Sequence, residues 1–337
     1  MTTTTSPSPY LTRWYIDTRP LTATTTTLPL LTTLQPTEQT AVQKFYHLKD
    51  KHMSLASQLL KYLFIHRTCR VPWSSIVISH TPDPHRRPCF IPDPSSAQGK
   101  QGIVEIEFNV SHQASMVAIA GTIIPPNFSG DSHNGPEGTI KPQVGIDITC
   151  VNERSKEPRT LESLRKYIDI FGEVFSADEM ADMRRLHGAP QTQQTAGTGT
   201  GQDSLVDYGY RLFYTYWALK EAYIKMTGEA LLAPWLRDLE FSNVVAPGAE
   251  SGEGKFGEPY TGVRTTLNKE LVKGVRVEVA ALEGDYLFAT AARGGGIGVR
   301  SGSRDGGDDS WLLFEKLDIE RDIQPCATGA CSCLSSL

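Results

Sequence analysis

The segment 217–225 (WALKEAYIK) most constrains the fold, because it places three charged side chains in an otherwise apolar helical pattern. Wound as an α-helix, it brings Trp217, Glu221 and Lys225 onto one face, with an apolar stripe beside them. Lys220 borders the same face. Taken alone, the segment favours an amphipathic core helix with an ordinary exposed ion pair between Glu221 and Lys225. A pocket for an anion or a metal ion becomes the better interpretation only if other segments supply complementary groups.

Chain length and charge exclude some functional classes. With 337 residues the chain can bury one large core or two smaller ones, so two similar lobes are a reasonable expectation. The formal net charge of −5 argues against a nucleic-acid or acidic-membrane partner, because those partners select basic surfaces. Any anionic ligand must therefore bind at a local cluster of basic groups.

The six cysteines are too sparse for a disulfide framework, which favours a reducing, cytoplasmic location. Cys326, Cys331 and Cys333 lack a fourth ligand at the spacing typical of zinc sites, so the sequence predicts a flexible thiol-bearing tail there. Residues 1–9 do not resemble a secretory signal. No apolar run approaches the roughly 18 residues that a membrane-spanning helix needs.

Basic residues in the first half are candidates for phosphate contacts. Arg86 and Arg87 lie in the proline-rich segment 81–92, whose stiff path should hold both guanidinium groups at the surface. A guanidinium suits phosphate because it can donate two parallel hydrogen bonds. Lys51 precedes a strongly apolar helix, where an ordinary solvated surface is an equally good interpretation.

Ser111 and His112 suggest nucleophilic catalysis, but no G-x-S-x-G turn surrounds the serine. Neighbouring side chains of an extended segment also point to opposite faces. Ser111 and His112 are better explained as two hydrogen-bond donors that bind an anion.

An aspartate interrupts the apolar strand predicted over 144–149. Alternation places Ile146 and Ile148 on the core face, and Asp147 with Thr149 on the other face. An aspartate among branched apolar residues is unusual, which favours a metal ligand or a buried capping role.

A pattern of strand, helices and strands occurs twice, divided near Gln143. It predicts an α+β fold of two pseudo-symmetric lobes, each a small antiparallel sheet packed with helices, with the active site in the cleft between them. The predicted parts are a flexible tail (1–9), an N-terminal lobe (10–143), a C-terminal lobe (144–292) and a Gly-rich linker with C-terminal extension (293–337). Local patterns also predict a helix capped by Ser176, a hairpin over 275–291, a strand at 75–79 and a short helix over 311–323.

Three motifs together resemble the signatures of the 4′-phosphopantetheinyl transferases, in their surfactin-type single-chain branch. The motifs are Phe108-Asn109-Val110-Ser111-His112, Gly145-Ile146-Asp147-Ile148 and Trp217-x-x-Lys220-Glu221-Ala222-x-x-Lys225. The resemblance covers roughly residues 10–292, and the long insertions resemble those of fungal members that serve secondary metabolism.

The resemblance implies transfer of the phosphopantetheine arm of coenzyme A to a carrier-domain serine, with release of adenosine 3′,5′-bisphosphate. The implied partners are carrier domains of polyketide, non-ribosomal peptide and fatty-acid synthases, and that of the lysine-biosynthesis reductase. A cytoplasmic monomer is implied, without nucleic-acid or membrane partners.

The resemblance also assigns roles to individual residues. Asp147 and Glu221 would bind Mg²⁺, or Mn²⁺, and Glu221 or a water that it orients would take the proton of the carrier serine. Many bacterial relatives have an acidic residue where this chain has Thr149, so a water would complete the metal shell. The implied coenzyme A contacts are Lys51, Arg86, Arg87, Ser111, His112, Lys220 and Lys225, of which His112 and Lys220 would also assist catalysis.

Two other classes remain open. A non-catalytic coenzyme A or carrier-binding module has no need for the metal carboxylates Asp147 and Glu221, which argues against it. A Mg²⁺-dependent phosphohydrolase would use those carboxylates but would need no carrier protein.

Overall fold

The computed structural model describes residues 10–82, 85–92, 104–125, 140–152, 158–190, 200–229, 233–250, 252–298 and 309–334. The chain forms two compact units. Unit 1 runs to Ile146 and includes Met226–Gly228 and the chain from Ala292 onward, whereas unit 2 comprises Asp147–Lys225 and Glu229–Ala291. The predicted α+β class is confirmed. The predicted domain boundaries and the cleft stay predictions, and the tail 1–9 lies outside the described residues.

Unit 1 combines one long helix with a four-stranded sheet. Its elements are β1 (Leu11–Asp17), α1 (Arg19–Thr24), α2 (Pro36–Gln43), α3 (Leu48–Cys69), β2 (Ile78–His80), β3 (Pro88–Phe90), β4 (Glu105–Gln113), β5 (Met116–Ile124), β12 (Trp311–Lys316) and α7 (Gln324–Ala327). The sheet order is β12-β1-β5-β4, in which β1 pairs with β5, and β5 with β4, antiparallel. The pairing of β1 with β12 is parallel, unlike the purely antiparallel sheet predicted.

Helix α3 packs closely against this sheet. Leu55, Leu59 and Leu63 are fully buried in the unit 1 core, as the apolar periodicity predicts. The ring of Phe64 lies over Gly121 of β5, where an added Cβ would sit 2.4 Å from Phe64 Cζ. Glycine is therefore required at this position for the helix to approach the sheet.

Two local predictions in unit 1 were wrong. The segment 311–323 begins as strand β12 and continues as a π-helix over Ile319–Ile323, because β1 supplies backbone partners from 300 residues away (Leu11 to Trp311). The strand predicted at 75–79 begins later than expected, because Ser75 ends a 3₁₀ turn that starts at Trp73, and β2 covers only Ile78–His80.

Unit 2 is built around the helix that contains the charged motif. Its elements are α4 (Leu161–Ile170), α5 (Ala177–Arg184), α6 (Thr200–Thr227), β7 (Leu239–Ser242), β8 (Arg264–Leu267), β9 (Glu270–Leu271), β10 (Val275–Leu282) and β11 (Tyr286–Arg293). Strand β6 (Gln143–Cys150) joins β10 and β11 in a sheet of order β10-β11-β6, and the division between the units falls within β6.

Aromatic packing fixes α6 in unit 2. Phe213 lies 4.7, 5.2 and 5.4 Å, between ring centroids, from Tyr167, Phe171 and Phe175 respectively. Such ring pairs stabilise a core beyond simple area burial. The predicted hairpin of β10 and β11 is confirmed.

The predicted cap at Ser176 is confirmed. The Ser176 hydroxyl accepts a hydrogen bond from the backbone N–H of Glu179, and the Glu179 carboxylate accepts one from the N–H of Ser176. This capping box fixes the start of α5.

No helix in the described part of the chain is both long and apolar enough to cross a membrane.

Candidate active site

Strand β6 presents Asp147 as a buried carboxylate. Every residue from Val144 to Cys150 is buried, and Asp147 is 5% exposed. The Thr149 hydroxyl donates a hydrogen bond to Asp147 Oδ2 at 2.8 Å, so both side chains lie on one strand face, as the alternation predicts. Thr149 thereby fixes the orientation of the carboxylate.

Lys225 of α6 contacts the other oxygen of the same carboxylate. Its Nζ donates to Asp147 Oδ1 at 2.6 Å, and its side chain keeps 28% of its surface exposed. The ion pair therefore joins Lys225 to Asp147 rather than to Glu221, the partner that the sequence suggests. Lys225 can still meet a ligand from solvent.

Glu221 lies half-buried, one helical turn before Lys225. Burial, and after it the negative charge of Asp147, raise the pKa of Glu221 to about 7, while Lys225 opposes the shift. The charges of both Asp147 and Lys225 therefore act on the Glu221 carboxylate. A divalent cation fits this donor set, because hard oxygen ligands suit Mg²⁺ and its charge would offset the excess negative charge.

The structure does not place Lys220 with these residues. Its ammonium is fully buried and donates to the carbonyl oxygens of Leu236, at 3.0 Å, and Leu239. It also pairs with Glu179 Oε2 at 3.0 Å. Three partners match the three hydrogen atoms of an ammonium group, so Lys220 has no donor left for a phosphate.

The sequence did not reveal that Glu179 of α5 pairs with Lys220 of α6. Its carboxylate accepts from the backbone N–H of Phe241 at 2.8 Å as well as from Lys220. Burial raises the pKa of Glu179, and the Lys220 charge opposes that shift. The Glu179–Lys220 ion pair connects α5, α6 and β7. Both side chains are enclosed by protein, so a ligand does not reach them from solvent. A glutamate three residues after an N-cap serine is expected to hydrogen-bond to that cap. The local sequence therefore does not indicate that Glu179 also pairs with a distant lysine.

The predicted contacts on β4 belong to unit 1. Ser111 is buried and His112 exposed, consistent with neighbouring side chains on opposite strand faces. Lys51, near the start of α3, is half-buried, and Arg86 is exposed. Their roles as ligands of coenzyme A stay predictions.

Arg87 differs from its prediction as a surface guanidinium. Its side chain is 14% exposed and pairs with Glu107 of β4. The same Nη2 atom donates to the carbonyl of Val144 at 2.9 Å. Arg87 therefore joins the segment before β3 to β4 and β6. The Glu107 carboxylate occupies the guanidinium position that a phosphate would need.

Two family models match this chain. Residues 21–124 match the family model described as 4′-phosphopantetheinyl transferase, N-terminal, and residues 143–280 match that of the 4′-phosphopantetheinyl transferase superfamily.

Similar proteins carry the same name. The chain is 69% identical to 4′-phosphopantetheinyl transferase NpgA of Emericella nidulans, over 99% of each chain, and 56% identical to 4′-phosphopantetheinyl transferase A of Aspergillus fumigatus, over 96% of each. It is 24% identical to the L-aminoadipate-semialdehyde dehydrogenase-phosphopantetheinyl transferase of Rattus norvegicus, over 77% of this chain and 67% of that protein. This chain belongs to the 4′-phosphopantetheinyl transferases.

Proposed function

We propose that the transfer of phosphopantetheine from coenzyme A takes place at Asp147, Glu221 and Lys225, with Mg²⁺ or Mn²⁺ held by the two carboxylates. The observation that carries this proposal is the ion pair of Asp147 with Lys225, both of whose charges act on the nearby carboxylate of Glu221. Charges in a packed core are normally balanced in pairs, and charges on a surface are solvated. Neither setting explains two neighbouring carboxylates with one ammonium group.

The protein groups have separate tasks in this scheme. Glu221 takes the proton of the carrier serine directly or through a water, and a bound divalent cation would keep its carboxylate ionised for this task. Lys225 donates to a phosphate oxygen while it holds Asp147, and so stabilises the charge of the leaving phosphate.

When bound, Mg²⁺ would supply charge neutralisation at the pyrophosphate and polarise the phosphorus under attack. Thr149 keeps Asp147 oriented through its hydrogen bond, which is the part that a neighbour of a metal ligand usually plays. A water would take the place of the acidic residue that many bacterial relatives have at position 149.

The role of Lys220 is revised from phosphate contact to positioning residue. Its fully enclosed pair with Glu179 sets the position of α6, and with it that of Glu221 one residue later. Ser111, His112, Lys51 and Arg86 remain the proposed phosphate contacts of unit 1. Arg87 would serve as one only by giving up Glu107.

The carrier substrates follow from the family and from the relatives. We infer that the enzyme acts on carrier domains of polyketide, non-ribosomal peptide and fatty-acid synthases, and on that of the lysine-biosynthesis reductase, as a cytoplasmic monomer. The name of the rat relative, which pairs this activity with aminoadipate-semialdehyde dehydrogenase, supports the last of these carriers.

The test compares Asp147→Ala and Glu221→Gln with Glu270→Gln, an exposed glutamate of the same unit. Transfer to an apo carrier should fall at least about 100-fold in the first two variants, the lower end for loss of a positioned base, and stay at the parental rate in the third. Mass spectrometry of the carrier across a Mg²⁺ titration measures the rate, and circular dichroism confirms folding.

The same assay separates the other classes. A gain in carrier mass supports transfer, whereas free phosphopantetheine formed without a carrier would show a hydrolase, and coenzyme A binding without turnover would show a binding module. A folded Glu221→Gln protein that transfers at the parental rate contradicts the proposed site.

A further inference from the structure

Four potential metal ligands meet in unit 1, and none of them belongs to the proposed active site. They are the imidazole of His66, near the end of α3, and the thiols of Cys326, Cys331 and Cys333, in and after α7. One ligand atom from each residue lies within 4.8 Å of all the others. His66 and Cys326 are buried, and the other two cysteines are half-buried.

Two distances in the cluster are close to those of tetrahedral zinc. With Zn–S bonds of about 2.3 Å and Zn–N bonds of about 2.0 Å, tetrahedral angles place two sulfurs about 3.8 Å apart and a nitrogen about 3.5 Å from a sulfur. The Sγ atoms of Cys326 and Cys333 are 3.7 Å apart, and His66 Nε2 is 3.2 Å from Cys331 Sγ.

The hydrogen bonding of His66 selects the tautomer that binds a metal. Its Nδ1 lies 2.7 Å from the carbonyl oxygen of Val71, which can only accept, so Nδ1 carries the proton. Nε2 then directs its lone pair at the three thiols. Zinc-binding histidines are usually fixed in this way, by a backbone carbonyl on the other ring nitrogen.

The charge around the cluster also suits a metal thiolate centre. Three thiolates, one neutral imidazole and Zn²⁺ together carry a charge of −1, because each thiol gives up its proton to solvent on binding. The Arg67 side chain, next in sequence to His66, donates to the carbonyl oxygen of Asp322 at 2.8 Å, four residues before Cys326. Its positive charge lies where it would offset that of the centre.

We propose that His66, Cys326, Cys331 and Cys333 form a structural zinc site that anchors the C-terminal segment to helix α3. Four protein ligands fill a tetrahedral shell and leave no open position for a substrate, which is typical of structural rather than catalytic zinc. In a reducing compartment, where disulfides are rare, the zinc ion would crosslink the C-terminal segment to α3.

The sequence-based prediction of a flexible thiol-bearing tail is wrong for the described part of this segment. That prediction looked for a fourth ligand close to the three cysteines, whereas His66 lies 265 residues before Cys331. Residues 324–327 also form helix α7, and Cys326 is part of the unit 1 core.

The test measures bound zinc in the full-length protein, purified without chelator. Mass spectrometry of the metal content should give about one zinc per chain in the parent and in Cys89→Ser, a matched cysteine outside the cluster. Cys331→Ser and Cys333→Ser should lose at least about 10-fold in zinc affinity, since each removes one of four ligands. Both residues are half-buried, so these variants should fold.

Two further measurements locate the metal. Cobalt exchanged into the parent should show the intense visible bands of tetrahedral thiolate coordination, and Cys333→Ser should weaken them. Asp147→Ala should keep its zinc, which distinguishes the cluster from the proposed Mg²⁺ site. Removal of zinc should lower the melting temperature of the parent by more than that of Cys331→Ser, because the variant binds the metal more weakly.

Three results would overturn the proposal. One is a zinc-free parent in which Cys326 and Cys333 are found disulfide-linked. Another is equal zinc content in the parent, Cys331→Ser and Cys333→Ser, which would place the metal elsewhere. The third is a parent that stays zinc-free after incubation with zinc under reducing conditions.

Discussion

Helix α6 carries two lysine–carboxylate pairs five residues apart, and their surroundings differ. Lys220 and Glu179 are 0% and 1% exposed, and every donor of the ammonium group is used by protein atoms. Lys225 and Asp147 are 28% and 7% exposed, and a second carboxylate, Glu221, lies beside them. The first pair is closed and balanced in charge, whereas the second is open and has excess negative charge.

The comparison shows why a lysine next to a glutamate that is proposed to be catalytic need not be catalytic itself. Successive side chains on a helix point about 100° apart, so Lys220 turns into the core while Glu221 faces its rim. A buried ion pair contributes little net stability but is costly to break, because one charge is then left unpaired in the interior. The motif therefore contains both the site and the support that positions it.

The largest expected effect tests the closed pair. Lys220→Ala should lower the free energy of unfolding by about 3 to 5 kcal/mol, since it leaves Glu179 buried without its cation. Lys225→Ala, the matched change at the open pair, should cost less than about 1 kcal/mol, because solvent reaches that site. Urea unfolding followed by circular dichroism measures both. Equal losses in the two variants would mean that the pairs do not differ as described.

Local patterns in the sequence predicted much of unit 2. The alternation around Asp147, the cap at Ser176 and the turn of the hairpin over 275–291 depend on residues within a few positions of one another. Such short-range chemistry is visible in a single sequence. The fold class follows from the order of these elements.

Contacts between distant residues could not be predicted in this way. The partner of Lys220 lies 41 residues earlier, and the ion pair of Arg87 with Glu107 depends on how two strands meet. Strand β12 exists because β1 supplies its hydrogen bonds, and the three C-terminal cysteines find His66 only in the folded chain. No local propensity encodes these partners, since tertiary packing decides them.

The second prediction concerns how the open pair responds to pH. The pKa of Glu221 is raised from an ordinary 4.5 to about 7, so the unfolded chain releases this proton at a lower pH than the native protein does. In magnesium-free buffer, stability should therefore fall as the pH rises from 4.5 to 7, by on the order of 2 kcal/mol, and then level off. Added Mg²⁺ should reverse the loss, because it favours the ionised carboxylate.

Glu221→Gln provides the control for this pH effect. The glutamine cannot ionise, so the difference in unfolding free energy between the variant and the parent isolates the contribution of Glu221. The other buried carboxylates with raised pKa values, Glu107 and Glu179, occur in both proteins and cancel in the difference. Parallel pH profiles of parent and variant would show that Glu221 is not the group that titrates near neutral pH.

The smallest effect concerns Thr149, which orients the metal carboxylate. Thr149→Val keeps the shape of the side chain but removes the hydrogen bond to Asp147 Oδ2, so Asp147 should bind Mg²⁺ about 10-fold more weakly, the lower end for loss of such a supporting contact. The Mg²⁺ concentration for half-maximal transfer should rise by this factor, while the rate at saturating Mg²⁺ stays close to that of the parent. Thr149→Ser retains a hydroxyl and should restore much of the Mg²⁺ affinity. If the valine variant needs no more Mg²⁺ than the parent, Asp147 is oriented by Lys225 alone, and the open pair needs no support from its own strand.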